Sequence, residues 1–281
     1  MATLNSILRG LTNLIMTPFG GMPAIVSLVL ISIPCTLLAL YVFKWTSDQD
    51  KIEAVKRDIF GGLFEIRLFN DNLGLILRAI GSILRHNARY VALSSVPLVV
   101  MIVPFVLVVA QLQFQYGYDG LKPGETALVK VELDPDWAVT YQDGKPPIEL
   151  LTPEGLQVTT SSMWAWPINE LSWHIQADTP GTYEMQLAWE GDKVTKTVDV
   201  TDAETALRSP IRHAGGFLDA VLYPAEDPLP ATAPIKRIEV SYTDASIRTF
   251  LFGIEIHWLI VFLVLTVVMA FALAKPLGIK L

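Results

Sequence analysis

The chain contains little of the material from which catalytic and metal centres are built. Its single cysteine, Cys35, excludes an internal disulfide bond. Its histidines are His86, His174, His213 and His257, which are too widely separated to show metal-ligand spacing. The sequence has no glycine-rich phosphate loop after a strand and no Ser or Cys nucleophile motif. We therefore expect no catalytic residue, no metal, no cofactor and no enzymatic activity.

Basic residues are absent from three long apolar runs, which cover residues 22–43, 91–112 and 250–274. Apolar residues make up 52% of the chain, more than an ordinary soluble protein contains. The first run, formed into a helix, would be about 33 Å long and would cross the hydrocarbon core of a bilayer. We predict that the three runs are transmembrane helices.

Prolines interrupt the first two runs. Pro34 predicts a kink in the first run, while Pro97 and Pro104 lie on one helical face of the second. The carbonyl groups that these prolines free need other hydrogen-bond partners in lipid, and Ser94 and Ser95 lie nearby. We identify these two serines and the two prolines of the second run as a candidate groove, turned toward protein or water. An ordinary kinked helix is the alternative interpretation.

Residues 44–90, between the first two runs, are polar and have helical periodicity. Asn70-Asp71-Asn72 predicts a tight turn that also caps the following helix. Apolar side chains spaced three and four residues apart predict two helices that bury their faces against each other. The first face contains Ile52, Val55, Ile59, Ile66 and Phe69. The second face contains Leu73, Ile76, Leu77, Ile80, Ile83 and Leu84.

The segment 44–90 is thus predicted to be an antiparallel coiled-coil hairpin. Ser47 and Asp50 are a candidate capping pair for its first helix. Gly61-Gly62 predicts either a kink or a close approach of the two backbones.

A stripe of arginines is the sharpest polar feature of the hairpin. Arg78, Arg85 and Arg89 fall on the face opposite the apolar one. Their side chains would either reach lipid phosphates from a solvated face, or contact ribosomal RNA or an acidic partner.

Charge is distributed unequally along the chain. Residues 44–90 contain eight Lys and Arg against six Asp and Glu, and residues 113–249 contain ten against twenty-one. The positive-inside rule places the hairpin and the basic tail, residues 275–281, in the cytoplasm. The acidic segment and the N-terminus are then outside. Residues 1–21 are predicted to form an amphipathic helix in the membrane interface, with a disordered leader as the alternative.

Residues 113–249 are predicted to form an extracytoplasmic β-sandwich, because short segments alternate with a period of two between turn signals. These segments are Thr126–Leu133, Pro147–Leu151, Glu170–Ala177, Thr182–Trp189, Val194–Val200 and Ile235–Tyr242. The segments around Trp189 resemble the closing hairpin of an immunoglobulin-like or fibronectin-like domain, with Trp173 and Trp189 in the core. Residues 209–234 are predicted to be a long loop.

Two further features of the sequence each allow two interpretations. Residues 163–167, with the sequence MWAWP, are either an exposed binding ridge or part of the core or of a membrane-facing surface. Glu255 and His257 lie just inside the third predicted span, where they would either reach the interface or form a candidate site within the span.

The first run and the segment Tyr41–Ile59, YVFKWTSDQDKIEAVKRDI, resemble the start of archaeal YidC-like proteins of the YidC-type insertase superfamily. The resemblance covers residues 20–112. It implies an outside N-terminus, a first span, a cytosolic coiled-coil hairpin and further spans, arranged around an exported β-sandwich in this chain. The segment Leu63–Gly74 resembles bacterial membrane proteins, which implies a multi-pass protein of the bacterial inner membrane.

This resemblance implies an insertase-like protein that assists insertion or assembly of membrane proteins without covalent chemistry. The implied partners are membrane lipids, membrane-protein clients or partner subunits, and a ribosome that binds the basic hairpin; DNA is not among them. A scaffold subunit of a larger membrane complex, binding through the β-sandwich, is the alternative. A third hypothesis is an enzyme with its site in the sandwich.

Overall fold

The computed structural model describes residue 10 and residues 22–223, 225–248 and 255–279. It combines long helices with antiparallel sheets and divides into two compact units. The first unit comprises residues 1–28 and 107–261, and the second comprises residues 29–106 and 262–281. Apart from Gly10, the predicted interfacial helix over residues 1–21 lies outside the described residues.

Three helices begin the described chain: α1 (Ala24–Thr46), α2 (Gln49–Leu68) and α3 (Leu73–Tyr116). By length and composition, α1 and α3 could each cross a membrane. The hairpin and the second apolar run were predicted as separate segments, but α3 contains both in one helix of 44 residues. No turn-forming residue separates them, so the second helix of the hairpin continues directly into the apolar run.

The caps of the hairpin helices are only partly as predicted. Asn72 Oδ1 accepts hydrogen bonds from the backbone N–H groups of Gly74 and Leu75, at 3.1 and 3.2 Å, as expected for the α3 cap. The cap of α2 is Asp48, whose carboxylate accepts from the Lys51 N–H at 3.1 Å, and not the pair of Ser47 and Asp50. The reason is positional, since an N-cap directly precedes the first helical residue, which is Gln49.

At Gly62, α2 approaches α3 closely. A Cβ atom at Gly62 would lie 2.6 Å from Ile83 Cγ1, whereas a Cβ atom at Gly61 would meet nothing within 4 Å. Because α2 is one continuous helix, the glycine pair provides a close approach and not a break.

The buried seam of the hairpin is narrower than predicted. Ile52, Val55 and Gly62 are buried on α2, and Ala79 is the buried residue on the facing part of α3. Four predicted seam residues of α3 are instead exposed. They are Leu73, Leu77, Ile80 and Leu84, at 70%, 60%, 40% and 63%. A single partner helix covers only a narrow stripe, so the outer part of a wide apolar face stays uncovered.

The remaining elements belong to the sheets and to three further helices. The strands are β1 (Thr126–Leu133), β2 (Ile148–Leu151), β3 (Leu156–Val158), β4 (Met163–Ala165), β5 (Glu170–Ala177), β6 (Gly181–Trp189), β7 (Asp192–Val200), β8 (Ile211–His213), β9 (Ile235–Val240), β10 (Ser246–Arg248) and β11 (Glu255–His257). The helices are α4 (Pro135–Ala138), α5 (Phe217–Leu222) and α6 (Trp258–Ala274).

The strands form two main antiparallel sheets. One has the order β3-β5-β1-β9-β8, with β4 also beside β5, and the other has the order β2-β6-β7. Inward-facing side chains of both sheets share one core, which includes Val131, Ile175, Leu187 and Val198. Trp173 and Trp189 also lie in this core, as predicted.

The six strands predicted from alternation are present, with small shifts at their ends. The five other strands of the described chain, β3, β4, β8, β10 and β11, have three residues each, too few to show a period. The predicted loop over residues 209–234 contains β8 and α5, which corrects that prediction.

The third apolar run differs from its predicted bounds of 250–274. Its helix, α6, begins at Trp258 and has 17 residues, while Glu255 and His257 lie in β11, which pairs with β10. These two side chains are therefore not inside a helical span. As a helix, α6 is about 26 Å long, slightly less than the hydrocarbon thickness of a bilayer.

Substitution of Gly62 tests the close approach. We expect Gly62→Leu to cost about 1–3 kcal/mol by overpacking against Ile83, and to accelerate hydrogen exchange in α2. Gly61→Leu is the matched control, because the space beside Gly61 is open. Equal exchange rates in the two variants would show that the helices do not meet at Gly62.

Candidate functional site

The arginine stripe lies on the exposed surface of α3. Arg78, Arg85 and Arg89 are all exposed, and among the described residues no ion pair involves them. Beside them, His86 Nδ1 lies 3.5 Å from the Asp58 carboxylate of α2. The stripe is therefore a set of uncompensated positive charges on a rigid helix.

The tip of the hairpin exposes a large apolar surface around the turn between α2 and α3. The exposed fractions are 60% for Phe60, 50% for Leu63, 68% for Phe64, 75% for Leu68, 70% for Leu73 and 60% for Leu77. A shallow depression lies along α2 between Gly61 and Leu68. We call these six side chains the hairpin-tip surface. Exposed apolar clusters of this kind mark sites of contact with other molecules.

The second part of α3 has two different faces. Pro97 is buried, and Ser94, Ser95 and Pro104 are half-buried. The opposite face is open, because Leu98, Val99 and Val103 are exposed by 63%, 64% and 65%. Ser95 Oγ donates to the Val91 carbonyl at 2.8 Å. The four candidate groove residues thus lie on the better covered side of the helix.

Polar side chains of α1 are also turned inward. Ser32 and Thr36 have 0% and 1% of their surface exposed, whereas Leu37 and Leu38 are 42% and 49% exposed. Thr36 Oγ1 donates to the Ser32 carbonyl at 2.7 Å. Sequence analysis missed these hydroxyls, although their spacing of four residues within an apolar run was the signal for them.

A second group of polar contacts joins the end of α3 to the starts of α1 and α6 in the first unit. These contacts were not predicted from the sequence. Tyr116 Oη donates to Ser27 Oγ at 2.9 Å, and Trp258 Nε1 donates to Gln113 Oε1 at 2.9 Å. The Tyr116 and Trp258 rings are stacked with centroids 6.3 Å apart. These hydrogen bonds fix the end of α3 against the starts of α1 and α6.

The sandwich contains a buried ion pair between Lys196 of β7 and Glu226. Their side chains are 0% and 11% exposed, and Lys196 Nζ lies 2.5 Å from Glu226 Oε2. The same carboxylate accepts from Ser209 Oγ at 2.5 Å and from the Thr197 N–H at 2.7 Å. The pair fastens the segment from Ser209 to Glu226 onto β7.

The charges of this pair depend on each other. Burial lowers the pKa of Lys196, and the Glu226 carboxylate opposes that effect. Burial also acts against the charge of Glu226, but the Lys196 ammonium and three hydrogen bonds hold its pKa below the ordinary value. Ser209 Oγ lies 3.1 Å from Lys196 Nζ, which has the form of a nucleophile and base. Because Lys196 is held in an ion pair and Ser209 is buried, the arrangement is a structural clamp.

A second buried network lies where the sandwich meets the end of α3. Arg208, which is 1% exposed, donates its backbone N–H to the Phe114 carbonyl at 2.8 Å. Thr182 Oγ1 donates to Asp199 Oδ1 at 3.0 Å, and the Asp199 N–H donates to Tyr242 Oη at 3.0 Å. Burial raises the pKa of Asp199. The backbone hydrogen bond from Arg208 holds the segment after β7 against the end of α3.

The MWAWP segment is divided between core and surface. Trp164 and Trp166 pack against the sandwich core, whereas Met163 is 68% exposed. Trp164 Nε1 donates to the Tyr141 carbonyl at 3.2 Å, which ties β4 to the turn after α4.

Neither the arrangement of possible metal ligands nor comparison with known proteins assigns a function to the chain. Within the described part of the chain, no group of three or more His, Cys, Asp or Glu side chains could hold a metal ion. A comparison of the chain with family models, with curated proteins and with solved structures found no match. The resemblance to the YidC-type superfamily therefore stays a prediction from residues 20–112.

Removal of the Glu226 charge tests the clamp. We expect Glu226→Gln to destabilise the sandwich by about 3–5 kcal/mol, because it leaves a buried ammonium uncompensated. Lys236→Met is the control, since it removes a surface pair with Asp134 and should cost less than about 1 kcal/mol. Thermal unfolding followed by circular dichroism measures both. Equal losses would show that the Lys196–Glu226 pair does not carry a buried charge.

The effect of Glu226→Gln on the stability of the sandwich should depend on pH. The folded pKa of Glu226 is below its unfolded value, so its contribution is full above the unfolded pKa of about 4.3 and is lost as pH falls through the folded pKa. The stability difference between the native chain and Glu226→Gln should therefore shrink on acidification. A difference that stays constant down to the folded pKa would contradict the assigned charge state.

Proposed function

We propose that the chain is an insertase-like protein of the bacterial inner membrane that assists the insertion or assembly of membrane proteins. Its α1, α3 and α6 helices would be three spans, with the hairpin in the cytoplasm and an immunoglobulin-like sandwich outside. The observation that carries the proposal is the hairpin-tip surface, which α2 and the start of α3 display together, and α3 then continues into an apolar run.

The length of α3 separates the hairpin tip from lipid. Residues 73–89 precede the apolar run and extend it by about 25 Å as a helix. Side chains at the tip, such as Leu68 and Leu73, would then lie too far from the bilayer to contact its acyl chains. A hydrophobic client segment that has not yet entered the membrane is the occupant that best matches this surface. Arg85 and Arg89, nearer the apolar run, would lie at the level of lipid phosphates.

The proposed groove is neutral. No Lys or Arg lies within the three apolar runs, so the inward polar groups are hydroxyls. Ser32 and Thr36 of α1, together with Ser94 and Ser95 of α3, would offer hydrogen bonds to the polar parts of a passing segment. Such a groove would lower the cost of moving unsatisfied polar groups through hydrocarbon, and it requires no covalent step.

A scaffold subunit of a larger membrane complex is the second candidate. It is favoured by the acidic sandwich, in which residues 113–249 carry twenty-one Asp and Glu against ten Lys and Arg. It is also favoured by exposed apolar side chains on that domain, such as Met163 and Ile168, which are 68% and 60% exposed.

Site-specific photocrosslinking during synthesis tests the insertase proposal. A photoreactive residue at Ser95 or Leu68 should crosslink to a ribosome-bound nascent membrane protein, and not to a nascent soluble protein. Val99 is the matched control for Ser95, because it lies on the exposed face of the same helix and would contact lipid. Absence of nascent-chain crosslinks at both positions would contradict the proposal. A stoichiometric crosslink to one fixed membrane subunit would support the scaffold instead.

A further inference from the structure

Four aromatic side chains gather on the sandwich where β1 ends and β5 begins. Trp137 and Tyr141 have ring centroids 4.7 Å apart, and Trp164 and Trp166 have centroids 6.4 Å apart. The hydrogen bond from Trp164 to the Tyr141 carbonyl joins the two pairs. We call these four residues the distal aromatic cluster.

Aliphatic side chains extend this cluster to the surface. They stand on the same short segments as the aromatic rings, between Pro135 and Tyr141 and between Met163 and Ile168. Their exposed fractions are 55% for Val139, 68% for Met163 and 60% for Ile168. Trp137, Trp164 and Trp166 pack against the sandwich core, so the aliphatic groups lie on segments that the core holds in place.

The cluster lies near the end of β1 that is farther from the end of α3. The chain enters the sandwich from α3, and Leu121 bridges Val200 before β1 begins. The eight residues of β1 then advance about 25 Å to Leu133, next to α4. If α3 crosses a bilayer, as in the proposed function, the lipid lies toward the start of β1, so we take a protein and not lipid as the occupant of this surface.

Carboxylates surround the distal aromatic cluster. Asp136 and Asp143 are exposed on either side of Trp137 and Tyr141 in sequence. Glu132 lies directly opposite Glu170 across β1 and β5, which places like charges side by side. Among the described residues, no ion pair involves any of these four carboxylates.

The nearest basic groups do not neutralise this rim. Arg237 is opposite Glu132 on β9, but its Nη2 donates to Glu239 at 2.5 Å. Lys236 lies 3.3 Å from Asp134. Lys130 lies two residues before Glu132 on β1, opposite Ser172. A partner with basic groups would relieve the repulsion between the glutamates.

The chemistry of the surface favours a protein over a sugar. A sugar site requires open aromatic faces and free polar groups, but the indole N–H of Trp164 is already bonded to a carbonyl. Methionine and aliphatic groups over aromatic rings are instead typical of the centre of protein interfaces, with charged groups at the rim.

We propose that the distal aromatic cluster binds a segment of another protein that carries apolar anchors flanked by Lys or Arg. The anchors pack between Met163, Val139 and Ile168, and the basic groups meet Asp136 and the pair of Glu132 and Glu170. The proposal rests on the proposed function only for the position of the sandwich outside the membrane. It names the surface through which either candidate function would hold a partner.

Hydrogen exchange of the full chain in nanodiscs tests the proposal with defined probes. One probe is a twelve-residue peptide of alternating Leu and Lys, and its match has Glu in place of Lys. We expect the Leu–Lys peptide to protect residues 135–143 and 163–170, and to bind about tenfold more tightly than the acidic peptide. Ile168→Glu should weaken binding at least about tenfold. Leu151→Glu is the control, since Leu151 is 49% exposed on β2 of the other sheet.

Each other outcome overturns the proposal. Equal binding of the two peptides would show that the carboxylates do not contribute to binding. Equal weakening by Ile168→Glu and Leu151→Glu would show that the peptide binds at another surface. Protection of the same residues by a hexamer of N-acetylglucosamine, without protection by the Leu–Lys peptide, would assign the surface to glycans. These results do not depend on nascent-chain crosslinking at Ser95, so a failure here and a failure of the proposed function remain distinguishable.

Discussion

Backbone hydrogen bonding along α3 is the constraint on which the rest of the architecture depends. Its 44 residues include the second helix of the hairpin, a long apolar run and, at Phe114, a backbone contact with Arg208 of the sandwich. A chain that crosses hydrocarbon must satisfy its backbone groups internally, and this helix does so except for the carbonyl groups that Pro97 and Pro104 free. The helix also makes the arginine stripe and the hairpin-tip surface rigid extensions of the apolar run.

The polar side chains in and beside the apolar runs follow the same constraint. Hydroxyl groups that would be costly in lipid are turned inward, as Ser32 and Thr36 show by their near-complete burial. Leu37 and Leu38 occupy the outward positions. This distribution places buried hydroxyl groups beside buried apolar residues, namely Leu28, Ile31 and Leu40, on the inner face of α1. It explains why a helix that is apolar on nearly every side still has a defined inner face.

The features predicted from sequence are those with a local periodic signal. The hairpin, its turn at Asn72 and the six longer strands each repeat a pattern over several residues. The burial of Ala79 was not predicted. The apolar pattern gives the whole apolar face of a helix, but not which narrow stripe of that face the partner helix covers. The pair of Lys196 and Glu226 joins residues 30 positions apart, and no local pattern signals it. The candidate groove at Pro97 was identified from proline spacing, whereas the distal cluster required the pairing of β4 with β5.

The two exposed apolar surfaces belong to segments of opposite charge balance. The hairpin-tip surface belongs to a segment with a basic excess, and the distal aromatic cluster belongs to the acidic sandwich. Basic rims attract acidic or phosphate-bearing partners, and acidic rims attract basic ones. If the two surfaces lie on different sides of a membrane, one chain contacts different partners in each compartment.

The central claim is that the hairpin and the sandwich lie on opposite sides of the membrane. Labelling of single cysteines measures this most directly. In a Cys35→Ser chain, cysteine would replace either Asn70 or Gly144, both of which are exposed. A membrane-impermeant maleimide added to intact spheroplasts should label the cysteine at position 144, and should label the one at position 70 only after lysis. Labelling of position 70 in intact cells, with protection of position 144, would contradict the account.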